Sequence, residues 1–180
     1  NLKFFEVGNT YIYNKEKWNA EDPIKGYNQE AHVSLFITGK RVEGNWAHAD
    51  EQSSIYELKA VVENILRRVG MPQNNVVVKH SDNNIFSKGV QYETRAGKVL
   101  VELGILSNKL KKAFDIEQDV FYADVHWDNL MKAIKKVSLT YTDISKYPSV
   151  SRDLALLVDK NVEFEQIEQI ARQTEKKLLK

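Results

Sequence analysis

From His32 to Thr38 apolar and polar side chains alternate. Val33, Leu35 and Ile37 share one face, and His32, Ser34, Phe36 and Thr38 share the other, the mark of a strand with one face buried. Further on the period changes. Ile55, Leu58, Val62, Ile65, Leu66 and Val69 recur at steps of three and four and predict an amphipathic helix. Ser54 and Glu57 have capping-box spacing, and Glu63 and Arg67 form an i,i+4 pair. Gly70 suits the position after the helix, and Pro72 prevents its continuation. Aromatic and β-branched residues over 2–13 predict extended chain, in which Gly8-Asn9 is a hairpin turn or Gly8 a bulge in one long strand. Strands are predicted at 76–79, 90–94, 98–106 and 120–126, with Arg95-Ala96-Gly97 as a turn. The third of these is apolar enough for burial on both faces. Short helices are predicted at 107–114 and 129–136, and loops at 14–30 and 40–51. Several strands around one long helix imply an α+β fold with a mostly antiparallel sheet and packed helices.

The pattern breaks near 137–148, where Tyr147-Pro148 forces extended backbone. Beyond it the residues 153–158 predict an apolar strand, and Phe164, Ile167, Ile170 and Ala171 an amphipathic helix. One strand and one helix cannot enclose a core at this size. Either this segment docks on the first domain or the rest of a second domain is missing; the second is favoured, giving a domain over 1–140 and, over 141–180, a truncated second domain. The start has neither an initiator Met nor a leader pattern, which suggests a stretch cut from a longer chain.

Composition excludes several classes. No Cys is present, so disulfide and thiolate chemistry are out, and a reducing cytoplasmic setting is expected. No apolar run reaches the roughly 20 residues of a membrane span, and no membrane partner is expected. The net charge of +1 announces no basic field for nucleic acid. Residues 132–180 hold a small cationic excess, with 10 Lys and Arg against 7 Asp and Glu.

Particular residues then bring in a family. Phe4-Phe5-Glu6-Val7-Gly8-Asn9-Thr10-Tyr11, Leu35-Phe36-Ile37-Thr38-Gly39, Asn45-Trp46, Tyr56-Glu57-Leu58-Lys59-Ala60-Val61-Val62-Glu63 and Phe114-Asp115-Ile116 follow one another as do segments of the bacterial phenylalanyl-tRNA synthetase β subunit. The most specific match is the run from Ile144-Ser145-Lys146-Tyr147-Pro148 through Arg152-Asp153-Leu154-Ala155 to Val158. It resembles the block that opens that family's ferredoxin-fold anticodon-binding domain. The chain departs from the family at Asn84-Ile85-Phe86-Ser87-Lys88-Gly89 and at Leu106-Ser107-Asn108, where His-Pro-Gly and Leu-His-Pro are common.

The resemblance implies a class II aminoacyl-tRNA synthetase-like sheet followed by a truncated ferredoxin-like β-α unit. It makes Gly8 a bulge in one strand. It further implies that 1–140 is non-catalytic. Active class II domains grip ATP with arginines, because the chemistry is positioning and electrostatics. Here Phe4-Phe5-Glu6 stands where an Arg-x-Glu is expected, and 101–110, taken as the counterpart of the glycine-rich motif, has Gly104 and no Arg. No catalytic residue, metal or bound cofactor is thus expected in this chain, while ATP and Mg²⁺ serve the whole enzyme. The implied partners are the catalytic α subunit, in an (αβ)₂ heterotetramer, and tRNA. Lys146, Tyr147 and Arg152 are the candidate tRNA contacts, through phosphate pairing and stacking. The bland alternative is that Tyr147 packs, Arg152 pairs with an acid and Lys146 is solvated, as are Lys176 and Lys177.

Two other functions fit the composition. The triplets His48-Ala49-Asp50 and His80-Ser81-Asp82 could serve a free-standing metal-dependent hydrolase, if they met. A general RNA-binding module would instead bind tRNA unaided, in a salt-dependent way.

Overall fold

A computed structural model describes residues 1–138, 141, 143, 146–175, 178 and 179. They fall into two compact units, Asn1–Thr140 and Tyr141–Lys180.

The first unit is built on six strands. β1 (Leu2–Tyr13), β2 (Tyr27–Thr38), β5 (Val76–His80), β6 (Phe86–Thr94), β7 (Val99–Leu106) and β8 (Val120–His126) pair in the order β1-β2-β8-β7-β6-β5. Every neighbouring pair is antiparallel. A separate ribbon of β3 (Lys40–Val42) and β4 (Glu51–Gln52) occupies what the sequence suggested was only loop. The helices are α1 (Ile55–Arg68), α2 (Asn108–Ala113) and α3 (Trp127–Ile134). The fold is thus α+β and mostly antiparallel, as expected.

One face of the sheet carries the core. Leu35 and Ile37 of β2, Val101 and Leu103 of β7, and Phe121, Ala123 and Val125 of β8 meet Leu58, Val62 and Leu66 of α1 and Leu130 of α3. The period-two and period-3.6 patterns converge here, so each apolar stripe has an opposing one. α1 ends as Gly70 adopts a left-handed φ of 82°. Met71 then donates its N–H to the Leu66 carbonyl and Gly70 to that of Arg67, the Schellman arrangement, while Met71 enters the core.

Three local expectations fail. Ser54 makes no side-chain cap, and Glu57 instead accepts from Lys3 Nζ of β1 at 2.6 Å. Arg67 pairs with Asn64, while Glu63 accepts from the buried Tyr92 hydroxyl at 3.2 Å. In both cases a tertiary partner is within reach of a carboxylate that the sequence assigned locally. Gly8 lies in one continuous strand, but without a bulge: β1 and β2 stay in register from Leu2↔Thr38 to Tyr13↔Tyr27.

The second unit contains α4 (Phe164–Thr174), opened by a reciprocal capping box between Glu163 and Gln166. None of its residues is buried. The strand predicted at 153–158 is not formed: residues 151–159 carry no ladder. Leu154, Leu156, Leu157 and Val158 are exposed, with Leu157 fully so. An apolar β-prone run becomes a strand only with a partner to exchange hydrogen bonds, and no described strand pairs with it.

Candidate functional site on the open face of the sheet

The face of the sheet opposite α1 and α3 carries polar and aromatic residues, and register arranges them in three rows. The first row is aromatic. Phe4, Phe36, Tyr122 and Gly104 are paired in turn across β1, β2, β8 and β7. The Phe4 and Phe36 rings stack at 4.7 Å, and Phe36 meets Tyr122 at the same distance. At β7 the row has no side chain, and there Phe86 of β6 lies over Gly104 and approaches Tyr122 at 6.1 Å. A Cβ on Gly104 would come within 2.6 Å of the Phe86 ring and would collide with the Lys88 carbonyl, so only glycine permits the overlay. Burial pushes the Tyr122 hydroxyl above its ordinary pKa.

The second row is acidic. Glu6, Ser34, Asp124, Glu102, Gln91 and Lys79 are successive register partners across all six strands. Glu102 accepts from Ser81 Oγ at 3.1 Å and from Asn83 at 3.3 Å. Beside the row, Glu93 accepts from Lys79 Nζ and from Gln91, both at 2.5 Å, and the Lys79 hydrogen bond holds its carboxyl below the usual range.

The third row is short. His32 of β2 faces His126 of β8, with ring centroids 4.8 Å apart. His32 Nδ1 lies 2.9 and 3.0 Å from the two Asp124 oxygens, and Glu30 Oε2 stands 3.9 Å from His32 Nε2. His126 sits where β8 passes into α3, and Asp128 of that helix accepts from the Ala31 amide at 2.9 Å, pinning the start of β2 to α3.

Chemically, this face is an aromatic strip beside carboxylates. None of the six strands contains an arginine. A polyphosphate laid here would meet Glu6, Asp124, Glu102 and Glu93 before any guanidinium, and like charges at close range repel. The strand-to-helix unit adjoining the β1–β2 hairpin is β8–α3, not β7–α2, which the sequence reading took as the glycine-rich counterpart. Groups on adjoining strands are the nearest neighbours across a sheet. β8–α3 has no arginine either.

The residues singled out from sequence lie elsewhere. His48 and His80 are exposed, His48 between β3 and β4 and His80 at the end of β5. Asp50 accepts from Lys40 Nζ at 2.7 Å and from the Gly44 amide at 2.6 Å, and the Lys40 hydrogen bond lowers its pKa. The two triplets do not form a common cluster among the described residues. Lys146, Tyr147 and Arg152 are exposed, and none of the three lies in a helix or strand. Ile144 and Ser145 of the same motif, and Lys176 and Lys177, lie outside the described residues. What sequence reasoning missed is the pair His32 and His126. Glu30 and His32, two apart on a strand, were readable as sharing a face. The β2–β8 register that brings His126 to them was not.

Comparison with known proteins gives two matches along the chain. Residues 1–127 match the model of the phenylalanyl tRNA synthetase beta chain CLM domain, and residues 145–180 that of the ferredoxin-fold anticodon binding domain. Over 179 residues the chain is 52% identical to the phenylalanine–tRNA ligase beta subunit of Bacteroides thetaiotaomicron and 41% identical to that of Porphyromonas gingivalis. Each match covers 99% of this chain and 22% of the relative, so the chain spans about a fifth of their length. Among solved structures, a pyrrolysyl tRNA synthetase from Desulfitobacterium hafniense is similar at 14% identity and a TM-score of 0.48, over 74% of this chain and 42% of that one.

Proposed function

We propose that this chain, which belongs to the phenylalanyl-tRNA synthetase β-chain family, is the non-catalytic scaffold portion of a phenylalanine–tRNA ligase, together with part of its tRNA-binding apparatus. The whole enzyme joins phenylalanine to its tRNA using ATP and Mg²⁺ in the cytoplasm. Its active sites belong to the α subunit, held with the β subunit in an (αβ)₂ assembly. Kinship supplies the reaction. The observation that supports a scaffold role is the open face itself, with carboxylates in a row and no arginine on any of its six strands. An adenylating site must stabilise charge developing on the α-phosphate, and preorganised cations usually carry the largest share of that task. Acidic residues in their place would raise the barrier.

Lys146, Tyr147 and Arg152 are the proposed tRNA contacts of the second unit. Their exposure leaves ammonium, phenol ring and guanidinium reachable from solvent, as phosphate pairing and base stacking require. No described helix is long and apolar enough to cross a membrane, which accords with a translation enzyme.

Phenylalanine-dependent ATP–pyrophosphate exchange tests the division of labour. The full-length β subunit alone should give background exchange, and addition of α should restore it. Exchange by β alone would refute the scaffold reading. Restoring arginine at Phe4 should not create activity, because the neighbouring carboxylates remain.

A further inference from the structure

We infer that Glu30, His32 and His126 form a binding site for a divalent first-row transition ion, of which zinc is the natural probe. Their ligand atoms, one from each residue, all lie within 4.8 Å of one another. Donors around a tetrahedral ion with bonds near 2.1 Å stand about 3.4 Å apart, so donor pairs need to approach by at most about 1.4 Å to close the cluster. The chemistry of the donors points the same way. His32 Nδ1 faces both Asp124 oxygens at 2.9 and 3.0 Å, which makes it the protonated nitrogen and leaves Nε2 with a lone pair. That Nε2 is buried and has no hydrogen-bond partner, and the same is true of His126 Nε2. Glu30 takes a hydrogen bond from Asn28 through Oε1 at 2.9 Å and turns Oε2 toward His32 Nε2 at 3.9 Å, too far for a hydrogen bond. A lone pair and a carboxylate oxygen thus point at one another beside a second unsatisfied imidazole nitrogen. A cation resolves that arrangement.

The surroundings fit as well. A carboxylate on the far nitrogen of a ligating imidazole fixes its tautomer and raises its basicity, the part Asp124 would play for His32. His126 is held at the β8–α3 junction, and the Asp128–Ala31 hydrogen bond fixes the strand that carries Glu30 and His32. Access is open on the β1 side, where the residue paired with His32 is Gly8 and nothing would lie within 4 Å of a Cβ there. A shallow depression lined by Glu30, His126, Asp128, Asn129 and Lys132 adjoins the cluster. Three protein donors of two imidazoles and one carboxylate suit zinc, iron or cobalt and leave a coordination position open. The site shares no residue with the two His-x-Asp triplets.

The test uses the full-length protein, stripped with chelator and equilibrated with micromolar zinc, then with cobalt as a spectroscopic substitute. One zinc per chain is expected, and cobalt should give visible ligand-field bands of nitrogen and oxygen coordination. Glu30→Gln and His126→Gln should each weaken zinc binding by roughly 100-fold, and Asp124→Asn by about 10- to 100-fold. Glu30 is partly exposed at the cluster edge, so the metal-free melting temperature of Glu30→Gln should match that of the parent and separate lost binding from lost folding. No retained zinc at micromolar free metal would overturn the site. Undiminished binding in the Glu30→Gln/His126→Gln double variant would overturn it too, by placing the metal at the exposed His48 or His80.

Discussion

α1 and α4 are both amphipathic helices with apolar residues at three- and four-residue steps, yet they end in opposite circumstances. α1 buries Leu58, Val62 and Leu66 against β2, β7 and β8. α4 buries nothing, although its N-terminus carries the capping box that α1 lacks. Local design is thus better in the helix without a core. Capping adds about 1 kcal/mol, whereas one fully buried leucine adds roughly 2 kcal/mol or more, so packing decides which unit is stable. Amphipathicity states that a helix seeks a partner surface. It does not supply one.

The largest expected break in this contrast is in the sheet. Leu103→Ala should cost about 2–5 kcal/mol in urea unfolding of the chain, because Leu103 is fully buried. Leu157→Ala, at a fully exposed position, should change the same midpoint by under about 0.5 kcal/mol. A comparable loss from both would mean that Leu157 is packed in solution. Next comes Tyr92→Phe, which removes the hydroxyl given to Glu63 and should cost about 1 kcal/mol. Burial, reinforced by the Glu63 charge, raises the Tyr92 pKa in the folded chain. The folded state therefore holds this proton more tightly than the unfolded one. Its contribution is complete below the unfolded phenol value of about 10 and declines as pH rises above it. Chemical denaturation across that range should show a decline that Tyr92→Phe reduces. A smaller effect is expected at Glu163→Ala: loss of the capping box should lower α4 helicity, seen as faster amide exchange over 164–168, with the sheet unaffected. The least is expected of Arg152→Ala in the full-length enzyme. There tRNA affinity should weaken by less than about tenfold and the salt dependence should become shallower by about one phosphate contact. An unchanged salt slope would remove Arg152 from the interface.

Much of the first unit was legible in sequence because its signals were periodic. The alternation at 32–38, the stripe at 55–69 and the strand at 120–126 reappear as β2, α1 and β8. Errors gathered where a partner distant in sequence intervened. Glu57 turned to Lys3 and Glu63 to Tyr92, neither of which spacing along a helix can foresee. The run 153–158 failed for the converse reason, since its composition suits a strand but no described neighbour completes a ladder. The open face was half legible. Alternation showed that His32, Ser34 and Phe36 share a side, but only register aligns Asp124 with Ser34 and Glu102, and His126 with His32. His32 and Asp124 are 92 positions apart, a pairing no local rule reaches. Sequence attention fell on His-x-Asp triplets because they were contiguous, and contiguity proved a poor guide to which histidines meet.

β1 has one more consequence. Among the described residues it pairs only with β2, and its outer side is a border of the sheet twelve residues long, with Phe5 and Val7 about two-thirds exposed. It lacks a proline and has only Lys3 and Glu6 as charges. Such a margin is a template onto which another extended chain can crystallise its backbone. Held apart from other proteins, the chain should therefore tolerate dilution better than concentration, gathering into oligomers seeded at Leu2–Tyr13.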